Sequence, residues 1–177
     1  MKLLERFTTA AVLVAAVLVI WVTVRDRVHP GSGRGEDPAS VAQSLTGKSL
    51  PLPPGSPRGK SATVVLVVSS SCHFCSESMP FYRRLAAVDS VSAHEMEMIA
   101  VDPENPADGK EYLSRNGVPV AAIISKSLRA MGFMATPTLV LLDGQGRVTH
   151  VWVGELNAHG QKDVLQQLAS NCKVCKV

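Results

Sequence analysis

Aromatic residues are scarce: four Phe, two Trp and two Tyr make up 5% of 177 residues. Charge is modest too, at 19% Asp, Glu, Lys and Arg, with a net charge of +3 and no Lys/Arg cluster alternating with aromatics. Nucleic-acid binding therefore has little support. Cysteine is confined to two C-x-x-C pairs, Cys72/Cys75 and Cys172/Cys175, which argues against the scattered framework of a disulfide-stapled mini-protein. The chain has no internal repeat and no low-complexity tract. None of its five histidines stands in a motif beside a Ser and an acid, so a catalytic triad is set aside. What remains, 46% hydrophobic residues, is a globular composition slightly enriched in apolar residues, with room for one domain plus extras.

Part of the apolar excess is local. Residues 1–6 carry Lys2 and Arg6, whereas Phe7 to Val24 are eighteen residues without a charge, closed by Arg25-Asp26-Arg27. That length is near the lower end of the ~17–25 residues that span a bilayer as a helix, and Trp21 suits the membrane interface. A cleaved signal peptide is the rival reading. Its apolar region usually runs only ~7–15 residues, and no A-x-A-like site follows here. We therefore read residues 7–24 as a single-pass signal-anchor. Lys2 and Arg6 face Arg25 and Arg27 across it, so the positive-inside rule leaves the orientation open.

Residues 25–47 read as a linker, since His29–Ser40 is a Gly/Pro/Ser stretch of mixed charge, with a short helical turn at Val41–Leu45. Residues 48–171 read as the folded domain and 172–177 as a tail. Gly47–Lys60, rich in Pro, leads in as extended or turn structure. Thr63–Val68 is a β-branched run too short for a helix. Ser71-Cys72-His73-Phe74-Cys75 follows, and Phe81, Leu85, Ala86 and Val88 recur at helical spacing, predicting a helix from about Cys72 to Ser90, kinked at Pro80. Met96–Val101 predicts a strand and Pro106–Asn116 a helix stopped by Gly117. Val118–Ile124 fits either a short strand or an approach to the next helix, and Ser125–Met131 predicts a helix ended by Gly132. Thr138–Leu142 and Val148–Val153 form a hairpin about Asp143-Gly144-Gln145-Gly146, and Ala158–Ala169 is a final amphipathic helix.

Two cysteines at this spacing on a first helical turn can close a disulfide, and the free amides and helix dipole there favour the thiolate of the N-terminal one. Strand, polar turn, C-x-x-C and helix is the context of a redox dithiol. With Pro80 after the second cysteine, Ala135-Thr136-Pro137-Thr138 before a strand, and the Gly-containing hairpin, the chain resembles the thioredoxin fold over about Leu50–Ala169, and most closely its membrane-anchored TlpA/ResA-like branch. The resemblance implies an α/β fold, a central mixed sheet flanked by helices, behind an N-terminal transmembrane helix. It implies a cis bond between Thr136 and Pro137 beside the cysteines, with exposed backbone that pairs with an extended substrate. It also implies the inner membrane, with the C-terminal domain on its periplasmic side, no bound cofactor, and a redox partner that resets the dithiol. The sequence departs from the family in three places. Ser71 stands where a Trp usually precedes the first cysteine, Ser78 replaces an acidic residue with Glu77 shifted by one, and Leu66 replaces the buried Asp of thioredoxins.

The expected chemistry has Cys72 as nucleophile and Cys75 as resolving thiol. His73 tunes the potential, because an imidazolium beside a thiolate stabilises the reduced form and makes the pair more oxidising. Substrates are protein thiols or disulfides, reduced as in cytochrome c-type biogenesis. The alternatives are a DsbA-like oxidant or an isomerase, and a copper or zinc module using one or both pairs. A Cys₄ zinc site would need both knuckles together, and their roughly hundred-residue separation lies outside the usual ribbon spacing. Cys172 and Cys175 are secondary redox candidates. A peroxiredoxin needs a Pro seven residues before the cysteine, where Val65 stands.

Overall fold

The computed structural model describes residues 38–52, 61–91 and 95–171. The uncharged run 7–24, the first part of the linker and the Cys172/Cys175 tail lie outside the described residues. Among the described ones, no helix is long and apolar enough to cross a membrane.

Five strands form one mixed sheet in the order β3-β2-β1-β4-β5. The β-branched run becomes β1 (Ala62–Val67), central and buried along its whole length. It is flanked by β2 (Met96–Asp102) in parallel and β4 (Thr138–Asp143) antiparallel. A strand buried on both faces must be continuously apolar rather than alternating, as Val64-Val65-Leu66-Val67 is. β5 (Val148–Val153) closes the hairpin on β4, and the short β3 (Ala122–Ser125) lies parallel to β2 at the other edge. This settles the ambiguous segment 118–124 as an approach ending in an edge strand.

Helix α1 (Pro38–Leu45) falls within the stretch that composition marks as linker. The helix lies against β5, with Leu45 packed on the core and Val41, one helical turn before it, buried. Helix α2 (His73–Val91) carries the first C-x-x-C and contains Pro80, and α3 (Pro106–Arg115) starts at a side-chain cap from Asn105. The last helix, α4 (Ala158–Asn171), turns back along β5, where the Trp152 indole donates to Asp163 at 2.8 Å.

The expected helix over Ser125–Met131 is a correction. Ser125 ends β3, and only Arg129–Met131 makes a single 3₁₀ turn. Seven residues give too few bonds to offset helix nucleation. Gly132, at φ 80°, then ends the turn in the left-handed region. The segment contributes Met131 and Phe133 to the core instead.

The sheet divides the core in two. Val65, Val67, Ile99 and Val140 face Met131 and Phe133 on one side. On the other, Val64, Leu66, Met98 and Leu139 pack with α2 and α4 through Cys75, Met79, Leu85 and Val164.

Candidate active site

The site is built where β1 ends. Beyond Val68 the chain turns through three serines, and Cys72 becomes the residue that caps α2. Its carbonyl accepts the helix's first bond from the Ser76 N–H at 3.3 Å. Its sulfur accepts the Cys75 N–H at 3.2 Å, as a Ser or Asp side chain does at an ordinary N-cap. The nucleophile candidate is thus positioned by helix geometry itself, with an amide donor aimed at its sulfur. The Cys72 thiol also reaches the carbonyl of Thr136 at 3.5 Å. The Thr136–Pro137 bond is cis, and the Pro137 carbonyl accepts from the Gly154 N–H at 2.7 Å. Cys72, Cys75, Thr136 and Pro137 are therefore brought together from α2 and the start of β4.

The two thiols differ sharply. Both are free, Cys72 half-buried and Cys75 buried at 0% exposure. Burial, and secondly the neighbouring Cys72, push the Cys75 thiol up to about 12. The Ser69 backbone and the Thr136 side chain pull the other way. Leu66, which stands in place of the thioredoxin Asp, is fully buried in the same core cluster as Cys75. Ser78, which stands in place of the family's acid, donates to the Phe74 carbonyl at 2.8 Å within α2. Around Cys75 lie hydroxyls instead: Ser76 pairs with Tyr112 at 2.9 Å, and burial raises the phenols of Tyr82 and Tyr112.

His73 points elsewhere. Its ring is 78% exposed, its Nε2 lies 3.8 Å from a Glu77 carboxylate oxygen, and it meets Phe74 edge-on. An imidazolium there is offset by Glu77 before it acts on the sulfur. Cys172 and Cys175 lie outside the described residues. Among the described residues, no group of three or more His, Cys, Asp or Glu side chains could hold a metal ion.

Sequence reasoning missed a pair of acids beside the cysteine turn. Asp102 ends β2, 1% exposed, with Oδ1 accepting the Glu104 and Asn105 N–H groups at 2.8 and 3.0 Å and no hydrogen-bond partner at Oδ2. Gly109 of α3 lies so close that a Cβ there would come within 2.5 Å of Oδ2. Glu104, so anchored, extends its carboxylate to the Ser71 hydroxyl at 3.2 Å, and Ser71 pairs with the Ser69 hydroxyl at 2.9 Å. The only hint in the sequence was the Asp-Pro closing the β2 pattern.

No family model and no curated protein matches the chain. Solved structures do. A putative thiol:disulfide interchange protein DsbE from Chlorobium tepidum is 21% identical over 64% of this chain and 81% of its own, with TM-score 0.52. A putative protein disulfide isomerase from Bacteroides thetaiotaomicron is 20% identical over 66% and 76%, with TM-score 0.55. A putative thioredoxin from Neisseria meningitidis is 21% identical over 66% and 77%, with TM-score 0.51. At these identities the likeness establishes the architecture: the described domain has the α/β thioredoxin-like fold.

Proposed function

We propose that this chain is a thiol–disulfide oxidoreductase that reduces protein disulfides through Cys72 and Cys75. In this reading residues 7–24 tether it to the inner membrane, with the domain outside the cytoplasm. The observation that carries the chemistry is the asymmetry of the two thiols: one caps a helix and is reachable from solvent, the other is buried and held protonated. Fold likeness to a putative thiol:disulfide interchange protein supports the thiol–disulfide chemistry, and the offset of His73 by Glu77 supports the reducing direction. The uncharged run and its flanking charges support the tether. The cysteine pairs of apocytochromes c belong among its substrates in this reading.

Cys72, as thiolate, attacks one sulfur of the partner's disulfide. The partner's other sulfur leaves as thiolate and takes up a proton. Cys75 then gives up its proton and attacks the Cys72 sulfur. The mixed disulfide breaks and the partner's second sulfur departs with that proton. Two electrons have passed to the partner, and Cys72 and Cys75 share a disulfide that a reducing redox partner must reset. The backbone at Thr136 and Pro137, beside the Cys72 sulfur, offers an extended substrate a strand-like edge to pair with.

The deciding measurement is the reduction potential of the pair in the full chain carrying Cys172→Ser and Cys175→Ser, equilibrated in thiol redox buffers. A value near or below roughly −250 mV supports the reductant. One above about −180 mV overturns the direction in favour of an oxidant or isomerase. If no disulfide forms and the protein holds zinc or copper instead, oxidoreductase chemistry is the wrong reading.

A further inference from the structure

Ser69 and Ser71, in the turn that leads to Cys72, are tied to an acid from another strand. Where the β1–β2 ladder ends, the Val68 N–H donates to the Val101 carbonyl at 3.0 Å. Past that point Glu104, which follows β2, reaches across. The Ser71 hydroxyl lies 3.2 and 3.3 Å from its two carboxylate oxygens. A carboxylate only accepts, so Ser71 commits its one proton to Glu104 and itself accepts from the Ser69 hydroxyl at 2.9 Å. Ser69 Oγ in turn accepts the Ser71 N–H at 3.2 Å. Glu104 thereby gives the turn one hydrogen-bond direction, from the buried Ser69 hydroxyl out to the carboxylate. The acid is rooted as well, since Oδ1 of the buried Asp102 accepts the Glu104 N–H at 2.8 Å. An indole in place of Ser71 would offer Glu104 a donor but give Ser69 nothing to donate to.

Ser69 bonds to both cysteines. Its carbonyl accepts the Cys72 N–H at 3.2 Å, and its backbone hydrogen bond to Cys75 favours that thiol's ionised form against burial. Resting on the oxidoreductase reading, we infer that Glu104 and Ser71 are positioning residues for the second thiol. By clamping the serine turn they hold the Ser69 backbone against Cys75, so that Cys75 can ionise and attack the Cys72 mixed disulfide. They act through Ser69 and not on a sulfur. The first attack draws instead on the half-buried Cys72 and on the Cys75 N–H aimed at its sulfur, so the clamp bears on one of the two steps. Without the Glu104 carboxylate, the Ser71 proton loses its acceptor and the turn loses its tie to the β2–α3 connection.

The test uses the reduced full chain carrying Cys172→Ser and Cys175→Ser, mixed with one equivalent of dipyridyl disulfide, an uncharged aromatic disulfide. The Cys72 thiolate attacks one sulfur and releases the first thiopyridone, leaving the other half on Cys72 as a mixed disulfide. Cys75 then gives up its proton and attacks the Cys72 sulfur, and the second thiopyridone leaves. Two electrons and two protons pass from the dithiol to the reagent, and stopped-flow absorbance follows both releases. Glu104→Ala and Ser71→Ala are expected to slow the second release about fivefold and to leave the first within about twofold, the scale of one lost hydrogen bond. Both side chains are exposed, so neither truncation opens a cavity. Glu104→Gln, whose amide oxygen still accepts from Ser71, should restore most of the second release. The two Ala changes together should lose no more than either alone, because they break one contact. Equal slowing of both releases, an unchanged second release in either Ala variant, additive losses, or a Gln variant as slow as Ala overturns the clamp and leaves the redox reading standing. Failure of the unsubstituted pair to release a second thiopyridone overturns the redox reading itself.

Discussion

On one side of the sheet, Val65, Val67, Ile99 and Val140 pack with Met131 and Phe133 into an aliphatic and aromatic layer. On the other, strand residues of the same kind, Val64, Leu66, Met98 and Leu139, share their cluster with Cys75, Tyr82 and Tyr112. Desolvation disfavours the charged form of any group it encloses. On the first side nothing in that layer titrates, so burial contributes to stability alone. On the second, the same burial holds a thiol and two phenols in their protonated forms. In the proposed reaction the apolar layer beneath Cys75 is part of the chemistry: it keeps the second thiol protonated until the half-buried Cys72 has been captured. Only His73 and Phe74 separate the buried thiol from the half-buried one, and the capping geometry of Cys72 is what sets them apart.

The strongest way to break this comparison is a pair of substitutions, one from each side. Cys72→Ser is expected to lower the rate of disulfide exchange through this pair by more than about a thousandfold, because a hydroxyl replaces the more accessible of its two thiols. Its stability should change little, since Ser is itself a favoured N-cap and can accept the same Cys75 N–H. Phe133→Ala should do the converse. Removing a side chain that is 1% exposed costs about 3–5 kcal/mol, while the redox potential of the fraction that remains folded stays where it was. Denaturant titration and redox-buffer equilibration on the same two proteins check both halves. If Phe133→Ala moves the potential as far as it moves stability, the two faces are not separate in function.

A smaller effect concerns pH. The Cys75 thiol stands at about 12 in the folded protein against an ordinary value of 9.0. A raised value means that its contribution to stability is complete below pH 9 and is lost as pH rises towards 12, because the unfolded chain releases the proton first. The reduced protein should therefore lose up to about 1.4 kcal/mol per pH unit more than Cys75→Ser across that window. Tyr82, raised in the same direction chiefly by burial, adds to the loss in both proteins. Urea unfolding at pH 8, 9.5 and 11 under reducing conditions measures it. Parallel curves for the two proteins would mean that burial does not hold the thiol protonated.

Much of this arrangement was readable in the residues, and the parts that were not share a cause. The placement of Cys72 on a helix start followed from a β-branched run, a serine turn and an apolar repeat of helical spacing, all within about thirty residues of sequence. Such local patterns carry their own structure. Glu104 meets Ser71 only because β1 and β2 pair in parallel, with Val67 opposite Val101, which brings together residues 33 apart. Nothing in a local pattern announces that. The four residues of β3 are ambiguous for another reason: an edge strand buries little of itself, and only Ile124 among them is buried. Ser125–Met131, expected as a helix ended by Gly132, instead places Leu128 and Met131 on the aliphatic face from a loop and a single turn.

The smallest expected effect falls on His73, and it asks whether the exposed turn or the buried face sets the potential. Deleting a cation beside Cys72 disfavours the thiolate, and with it the reduced form, so His73→Gln should shift the pair towards the disulfide. The ring is 78% exposed and faces Glu77 at 3.8 Å, so water screens its charge and the carboxylate offsets it. We expect a change of threefold or less in the exchange equilibrium, which corresponds to roughly 15 mV. Glu77→Gln should move the pair the opposite way, towards the dithiol, by releasing the imidazolium from its partner. Redox titration of the two single variants and their combination separates the contributions. A tenfold or larger effect of His73→Gln, about 30 mV, would show that the exposed turn governs the potential. The apolar layer under Cys75 would then control only the timing of the second attack, and the contrast between the faces would be kinetic rather than thermodynamic.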